Sequence, residues 1–398
     1  MATQSHEELI EQNPILEKVV GKSSWDHITH SDSRTVDVLS KGWINNLRKN
    51  ISSKRYKRHG GVYKDYLNFG NNKAIICVGA GPSLKNNLHV LKRMHDIDGL
   101  KHPNDRDFIF IASNHMLKPL LKEDIIPDFV FLTDASDIVL DQLTTDIPEK
   151  ARYVTLLSGL QCSPKVLKRW ERQGREIRFY LPGTVPVVEE FKKITKEDPH
   201  NLQIVQGGNV MNCCWTLGLR FFGSTVYMSL GNDLSYPIKK TVDERRNSYY
   251  VDGDYTTNIG TGRDEARSDK AWMSFKLSKS NIVSLNAEER YNIELSPCAT
   301  NGTLWVYKTW IEAQVAAGQA KSKFVYYNCS EGGISGILHK ENEPYDDIKS
   351  WYLMDSVTNR WRTRTLEDAI GEFLKAKDIL KWQTPADAQY ATGLVQQN

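Results

Sequence analysis

The hydrophobic pattern of the chain changes near residue 70. From Lys73 onward, short apolar runs rich in β-branched and aromatic residues alternate with stretches of helical period. Seven runs predict strands: Ala74–Val78, Phe108–Ala112, Phe129–Thr133, Tyr153–Leu157, Ile177–Leu181, Val226–Leu230 and Phe324–Asn328. Their apolar character is continuous, as in strands covered on both faces. Between them, Leu84, Leu88, Leu91 and Met94 recur at spacings of four and three, the stripe of one helix face. Val166, Leu167 and Trp170 mark a second helix ended by Gly174, and Val210, Cys214, Leu217 and Phe221 a third that stops at Gly223. Strands alternating with helices predict right-handed crossovers and a mostly parallel sheet with helices on both faces, a Rossmann-like α/β fold.

The flanks differ in texture. Residues 1–65 read as a helical, basic N-terminal extension, with a weak helical period from Val36 to Leu47. Residues 66–340 read as the Rossmann-like domain, interrupted at about 237–290 by a polar insertion rich in Asp, Arg, Tyr and Gly. Loops of that length are commonly functional or disordered. Residues 341–398 carry an amphipathic helix (Leu366, Ile370, Phe373, Leu374) and a tail.

Composition narrows the picture by exclusion. The chain of 398 residues is 40% apolar and 25% charged, an ordinary globular balance, and its net charge of +3 identifies no partner. Six cysteines form no C-x-x-C pair, which argues against zinc and against a disulfide framework. The N-terminus has neither the basic start nor the apolar core of a secretion signal, and no apolar run approaches the ~20 residues of a membrane span. A cytoplasmic location, or a host cytoplasm, and no membrane insertion are expected. From Lys41 to Lys64 there are eight Lys/Arg and no acid, interleaved with Trp43, Tyr56 and Tyr63. Such a stretch suits nucleic-acid phosphates and stacked bases, and it reads equally as a solvated helix face.

Candidate chemistry collects at the carboxyl ends of the strands, where open α/β sheets place ligands. After the first strand come Gly79, Ala80, Gly81, Pro82 and Ser83. The glycines admit close backbone approach, the proline suits a first helical turn, and free N–H groups at a helix start attract anions. The third glycine of the dinucleotide fingerprint is missing, and the next strand ends in Ser113-Asn114 without a ribose-binding acid. An oxidoreductase is therefore disfavoured. Asn114 suits a ribose or base edge, or a helix cap. Asp134 and Asp137 follow the third strand, as Mg²⁺ ligands facing phosphates or as caps. Asp233 and Tyr236 follow the Val226–Leu230 strand in Gly231-Asn-Asp-Leu-Ser-Tyr236. Gly332 and Gly333 follow the last strand, with His339 beyond them.

This pattern resembles the family that contains the motility accessory factors and the MptE-like 6-hydroxymethylpterin pyrophosphokinases. The resemblance rests on Gly-Ala-Gly-Pro-Ser-Leu84 after a strand and on three further segments in order. These are Leu117-Lys-Pro-Leu-Leu with Ile126-Pro-Asp128, then Gly207-Gly-Asn-Val210 before Gly231-Asn-Asp-Leu234, then Asn328-Cys-Ser-Glu-Gly-Gly-Ile334, covering roughly residues 70–340. The family in turn looks similar to bacterial sialyltransferases that use CMP-sugars. That likeness implies that Gly79, Gly81, Ser83 and Asn114 hold the nucleotide, with Ala80, Pro82, Gly332 and Gly333 beside it, and that Tyr236 approaches the phosphate. The sialyltransferases carry a His base downstream of the Gly-x-Asp segment, whereas this chain has no His between His200 and His339. The base is then His339 or an acid of the Asp254–Asp269 loop such as Asp264, and Asp233 joins them as a catalytic candidate.

The leading expectation is a glycosyltransferase that moves a sugar from a nucleotide-sugar, a CMP- or other NDP-sugar, onto an acceptor hydroxyl. The acceptor is nucleic acid engaged through residues 41–64, for example a flipped hydroxymethylated base in DNA, or else a protein or glycan. The alternative is an Mg²⁺-dependent, MptE-like pyrophosphokinase acting on a hydroxymethyl compound such as 6-hydroxymethyl-dihydropterin, with Asp134 and Asp137 on the metal. A third reading is a non-catalytic nucleotide-binding protein.

Overall fold

The computed structural model describes residues 5–99, 101–102, 105–143, 147–235, 272–277, 295–300, 302–318, 324–340, 342–344 and 347–382. Its strands are β1 (Ala74–Val78), β2 (Phe108–Ser113), β3 (Phe129–Leu132), β4 (Thr155–Gly159), β5 (Ile177–Pro182), β6 (Gln203–Ile204), β7 (Val226–Leu230), β8 (Trp272–Leu277), β9 (Leu295–Thr300), β10 (Val325–Asn328), β11 (Ile337–His339), β12 (Trp351–Leu353) and β13 (Trp361–Thr363). Nine of these form one sheet in the order β13-β10-β7-β1-β2-β3-β4-β5-β6. Every adjacent pair in it is parallel.

The continuous apolar runs have a direct cause. Along β1, Ala74, Ile76 and Val78 join one core and Ile75 and Cys77 the other. Along β2, Phe108, Phe110 and Ala112 divide from Ile109 and Ile111 in the same way. Successive side chains leave opposite faces of a strand, so a sheet covered on both sides needs apolar residues at every position. On one side the cover includes the helices Leu88–Gly99, Pro164–Glu171, Val185–Thr195 and Leu366–Trp382, through Leu91, Trp170, Phe191 and Phe373. On the other it includes Val210–Leu217 and Gly302–Ala317, through Cys214 and Trp310. The Rossmann-like expectation holds.

The 31-residue helix Lys22–Ser52 is longer than its weak period suggests and is fastened to the sheet body. Asn50, fully buried, donates to the Leu160 and Cys162 carbonyls at 2.9 Å each and accepts from Arg55. Beyond residue 340 the chain supplies β13, the edge strand of the main sheet. Two antiparallel pairs stand apart, β8 with β9 and β11 with β12. β8 falls inside the stretch read from the sequence as a polar loop, so that stretch contains regular structure. Among the described residues no helix is long and apolar enough to cross a membrane.

Candidate functional site

Strand order reverses beside β1: β2 to β6 extend on one side, and β7, β10 and β13 on the other. The carboxyl ends of β1 and β7 therefore flank the switch point where such sheets open a crevice. A cavity of about 120 Å³ lies there. Its walls are Gly79–Gly81 after β1, Ser113–His115 after β2, Gly231–Ser235 after β7, and Asn209–Met211 at the head of the Val210 helix. Leu304 and Tyr307 from the helix Gly302–Ala317 complete it.

Asp233 ties the strand ends together. Its carboxylate accepts from the Ser83 N–H at 2.9 Å and from the Ser83 hydroxyl, all of it buried. The fit leaves no room for side chains. A Cβ on Gly81 would sit 2.5 Å from an Asp233 carboxylate oxygen, and one on Gly79 would sit 2.6 Å from the Gly231 carbonyl. Gly333, at φ +79°, lies directly on the Asp233 backbone, and Ile334 donates to the Asp233 carbonyl at 2.8 Å. Ser330 accepts from the Asn232 N–H at 3.1 Å, and Ser335 donates to the Asn232 carbonyl at 3.0 Å. The glycine turn thus interlocks with two other loops. Its amides are largely engaged by protein: Gly79 donates to Leu230, Gly81 to Gly231, and Ser83 to Asp233.

Gly79, Ala80, Gly81, Asn114 and Asp233 stand together on the cavity. Pro82 and Ser83 begin the short 3₁₀ turn Pro82–Asn86 behind it. Gly332 and Gly333 back the Ser83–Asp233 pair, a Cβ on Gly332 falling 2.9 Å from that of Ser83. Asn114 is buried and donates to the Gln142 side chain at 2.6 Å. Asp134 and Asp137 do not reach the cavity. Asp134 accepts from the Ser136 N–H at 2.8 Å. Asp137 accepts from Lys165 at 2.6 Å and from Ser163, and these bonds hold its carboxyl below the usual range. Among the described residues no three His, Cys, Asp or Glu side chains cluster as metal ligands. His339 ends β11 with its ring edge-on to Trp351, centroids 4.7 Å apart, away from the cavity. Tyr236 and Asp264 lie outside the described residues.

Among the wall residues not expected as site residues are His115, Asn209 and Tyr307. His115 directly follows Asn114, and that adjacency was the available signal. Asn209 is placed by the glycines before it: a Cβ on Gly207 would strike Trp310, and one on Gly208 (φ +81°) would strike Tyr307. Tyr307 went unseen because its helix was not recognised. In the basic stretch, Arg48 pairs with Glu190 at 2.8 Å, and Arg55 and Arg58 both pair with Glu171 at 3.2 and 2.5 Å. Tyr56 donates to Glu197 at 2.6 Å, and Trp43 packs on the core. Three of the eight cations are thereby committed to glutamates of the same chain.

The solved structure of the MAf glycosyltransferase from Magnetospirillum magneticum AMB-1 is similar at a TM-score of 0.43 and 13% identity, over 79% of this chain and 38% of that one. The chain thus spans well under half the length of that protein. No curated protein matches. The family described as 6-hydroxymethylpterin diphosphokinase MptE-like matches residues 41–239, from within the N-terminal helix to just past the β7 loop. With that match covering half of its 398 residues, the chain belongs to the MptE-like family.

Proposed function

We propose that the chain transfers a diphosphoryl group from a nucleoside triphosphate, with Mg²⁺, to the hydroxymethyl group of a small heteroaromatic compound of the hydroxymethylpterin kind. The family match carries this reading, because residues 41–239 include the β1, β2 and β7 strand ends that wall the cavity. In the reaction the acceptor hydroxyl oxygen attacks the β-phosphorus, the bridge from the α-phosphate breaks, nucleoside monophosphate leaves, and the hydroxyl proton passes to a base.

The cavity supplies a matching set of groups. Asp233 is the one carboxylate among its described wall residues. Mg²⁺ in phosphoryl-transfer sites is commonly held by one or two carboxylates together with substrate phosphates, so this donor fits and would supply the metal site in place of Asp134 and Asp137. The ion neutralises charge on the transferring group when bound. His115 is the one imidazole among the described wall residues, and we assign it as the proton acceptor. Asn114, held by Gln142, and Tyr307, an aromatic residue of the cavity wall, suit a flat, hydrogen-bonding ring.

Glycosyl transfer from a nucleotide-sugar is the competing chemistry. Of its expected bases, His339 stands away from the cavity and Asp264 lies outside the described residues, and no observation favours it over diphosphoryl transfer. The deciding experiment follows products by ³¹P NMR and chromatography with ATP, Mg²⁺ and 6-hydroxymethyl-dihydropterin, beside arms with chelator and with CMP- and UDP-sugars. AMP and a diphosphorylated pterin, abolished by chelator, are expected. Consumption of a nucleotide-sugar in chelator, with no AMP from ATP, would overturn the proposal.

A further inference from the structure

The glycine turn after β1 is the obvious place to put a phosphate, and the hydrogen bonds there argue against it. Gly79, Gly81 and Ser83 spend their N–H groups on Leu230, Gly231 and Asp233, and Pro82 has none. The head of the Pro82–Asn86 turn is closed by the Asp233 carboxylate, an anion supplied by the protein itself. Only the Ala80 N–H of the turn has no protein partner among the described residues, so a ligand phosphate needs further donors.

The helix Val210–Leu217 offers one on the adjoining wall. It starts at the cavity and continues through a single π turn, Gly218–Phe222, so its peptide dipoles add over a long run. Its cap is partial. The Asn209 side chain accepts from the Asn212 N–H at 2.8 Å, and the Asn209 carbonyl accepts from Cys213. The N–H groups of Val210 and Met211 have no protein partner among the described residues, and both residues line the cavity. A second observation, independent of the helix, points to a ligand at the same place. Ser113, at the end of β2 on the same cavity, is only 5% exposed, and its hydroxyl has no hydrogen-bond partner. A buried hydroxyl left unpaired in a folded protein calls for an explanation, and a ligand oxygen supplies one.

We propose that the amino end of the Val210 helix, together with the Ser113 hydroxyl, is the anion subsite of this cavity and takes a phosphate group of the substrate. It rests on the reading of the cavity as a phosphoryl-transfer site and relocates the phosphate within it. First-turn N–H groups and the positive end of the dipole both favour an anion there. The subsite shares its cavity with the carboxylate of Asp233, so the phosphate is bound together with a divalent cation. The Asp233–Ser83 pair then holds the crevice open as a structural brace, and the double glycine 207–208 serves to seat the helix head against Tyr307 and Trp310.

The test deletes a single N–H. Proline is tolerated at a first helical position, and Asn209, at φ −128° and ψ 167°, already has the extended backbone that a following proline requires. Isothermal titration of the full chain with inorganic pyrophosphate and Mg²⁺ is compared for wild type, Val210→Pro, Val210→Ala and Ser113→Ala. Wild type binds; Val210→Pro binds about tenfold more weakly, the size of one lost hydrogen bond to a charged group. Val210→Ala, which keeps the N–H, measures the contribution of the side chain and changes affinity less than about twofold. Ser113→Ala weakens binding several-fold and carries the test alone if the proline variant fails to fold. Equal affinities for Val210→Pro and Val210→Ala, an unaffected Ser113→Ala, or no binding by wild type would each overturn the subsite. The result separates from the fate of the diphosphokinase reading, which is judged by AMP release. A protein that makes no AMP yet loses pyrophosphate with Val210→Pro keeps the subsite and removes the reading. AMP release with unchanged affinity does the reverse.

Discussion

Asp233 stands in both the architecture and the proposed chemistry, and two substitutions at that position separate the roles. Its carboxylate accepts two hydrogen bonds from buried Ser83, one from the backbone and one from the hydroxyl. Bonds to a charged acceptor contribute about 1.5–3 kcal/mol each, and removing the acceptor leaves two donors buried without partners. Asp233→Ala is therefore expected to cost about 3–5 kcal/mol. Asp233→Asn preserves the shape: the amide oxygen accepts from the Ser83 N–H while the amide nitrogen donates to the Ser83 hydroxyl. That exchange of a charged pair for a neutral one costs roughly 1 kcal/mol. In thermal unfolding, 1 kcal/mol shifts the midpoint by about 2–4 °C in domains of ~150–250 residues. The asparagine variant should unfold within a few degrees of wild type, and the alanine variant far lower. Turnover with ATP and Mg²⁺ should fall by about 10²-fold or more in the asparagine variant, because the charge that holds the cation is gone. An alanine variant as stable as wild type would refute the brace. An asparagine variant with unchanged turnover and Mg²⁺ dependence would refute the metal role.

Other positions test separate links of the argument. His115→Gln should lower turnover by about 10²–10⁴-fold while unfolding stays near wild type; unchanged turnover would remove His115 as proton acceptor. Gly333→Ala adds a methyl group at φ +79° against the Asp233 backbone, so circular dichroism and turnover should both show a damaged β7 loop. Lys308 pairs with Glu312 at 2.7 Å with both side chains buried, and Glu312 also accepts from the Gly336 N–H at 2.7 Å. Lys308→Met strands that carboxylate and should cost about 3–5 kcal/mol in denaturant unfolding, with Lys308→Met/Glu312→Gln recovering a large part. Burial alone would push the Glu372 carboxyl up, but the Arg364 and Arg362 guanidiniums at 2.7 Å hold it below its usual range. Its contribution is present above about pH 4.3 and fades as pH falls through the lower folded value, so Glu372→Gln should flatten the acid side of the stability curve.

What the sequence disclosed follows from which interactions are local. β1 and β7 were legible to the residue, because a strand buried on both faces writes its whole length in apolar letters. The helix Gly302–Ala317 was illegible for a related reason: it is buried through most of its circumference, so no polar stripe marks its period. Lys308 and Glu312 add to the difficulty, since two charges four apart read as a solvated face and are in fact a pair inside the core. β11, β12 and β13, three residues each, are too short for any period to register. At the site, the strand ends were gathered on one edge, and those of β1, β2 and β7 wall the cavity while Asp134 and Asp137 after β3 do not, but their glycines were read one loop at a time. Gly79 and Gly81 look like a phosphate cradle in isolation, and their actual neighbours, Gly231 and Asp233, lie 150 residues further along the chain. A motif of this kind records a close approach of backbone without saying whether the approaching group is a ligand or another loop. For Gly81 it is a carboxylate of the protein, and that substitution of an internal anion for an external one moves the expected phosphate to the head of the Val210 helix.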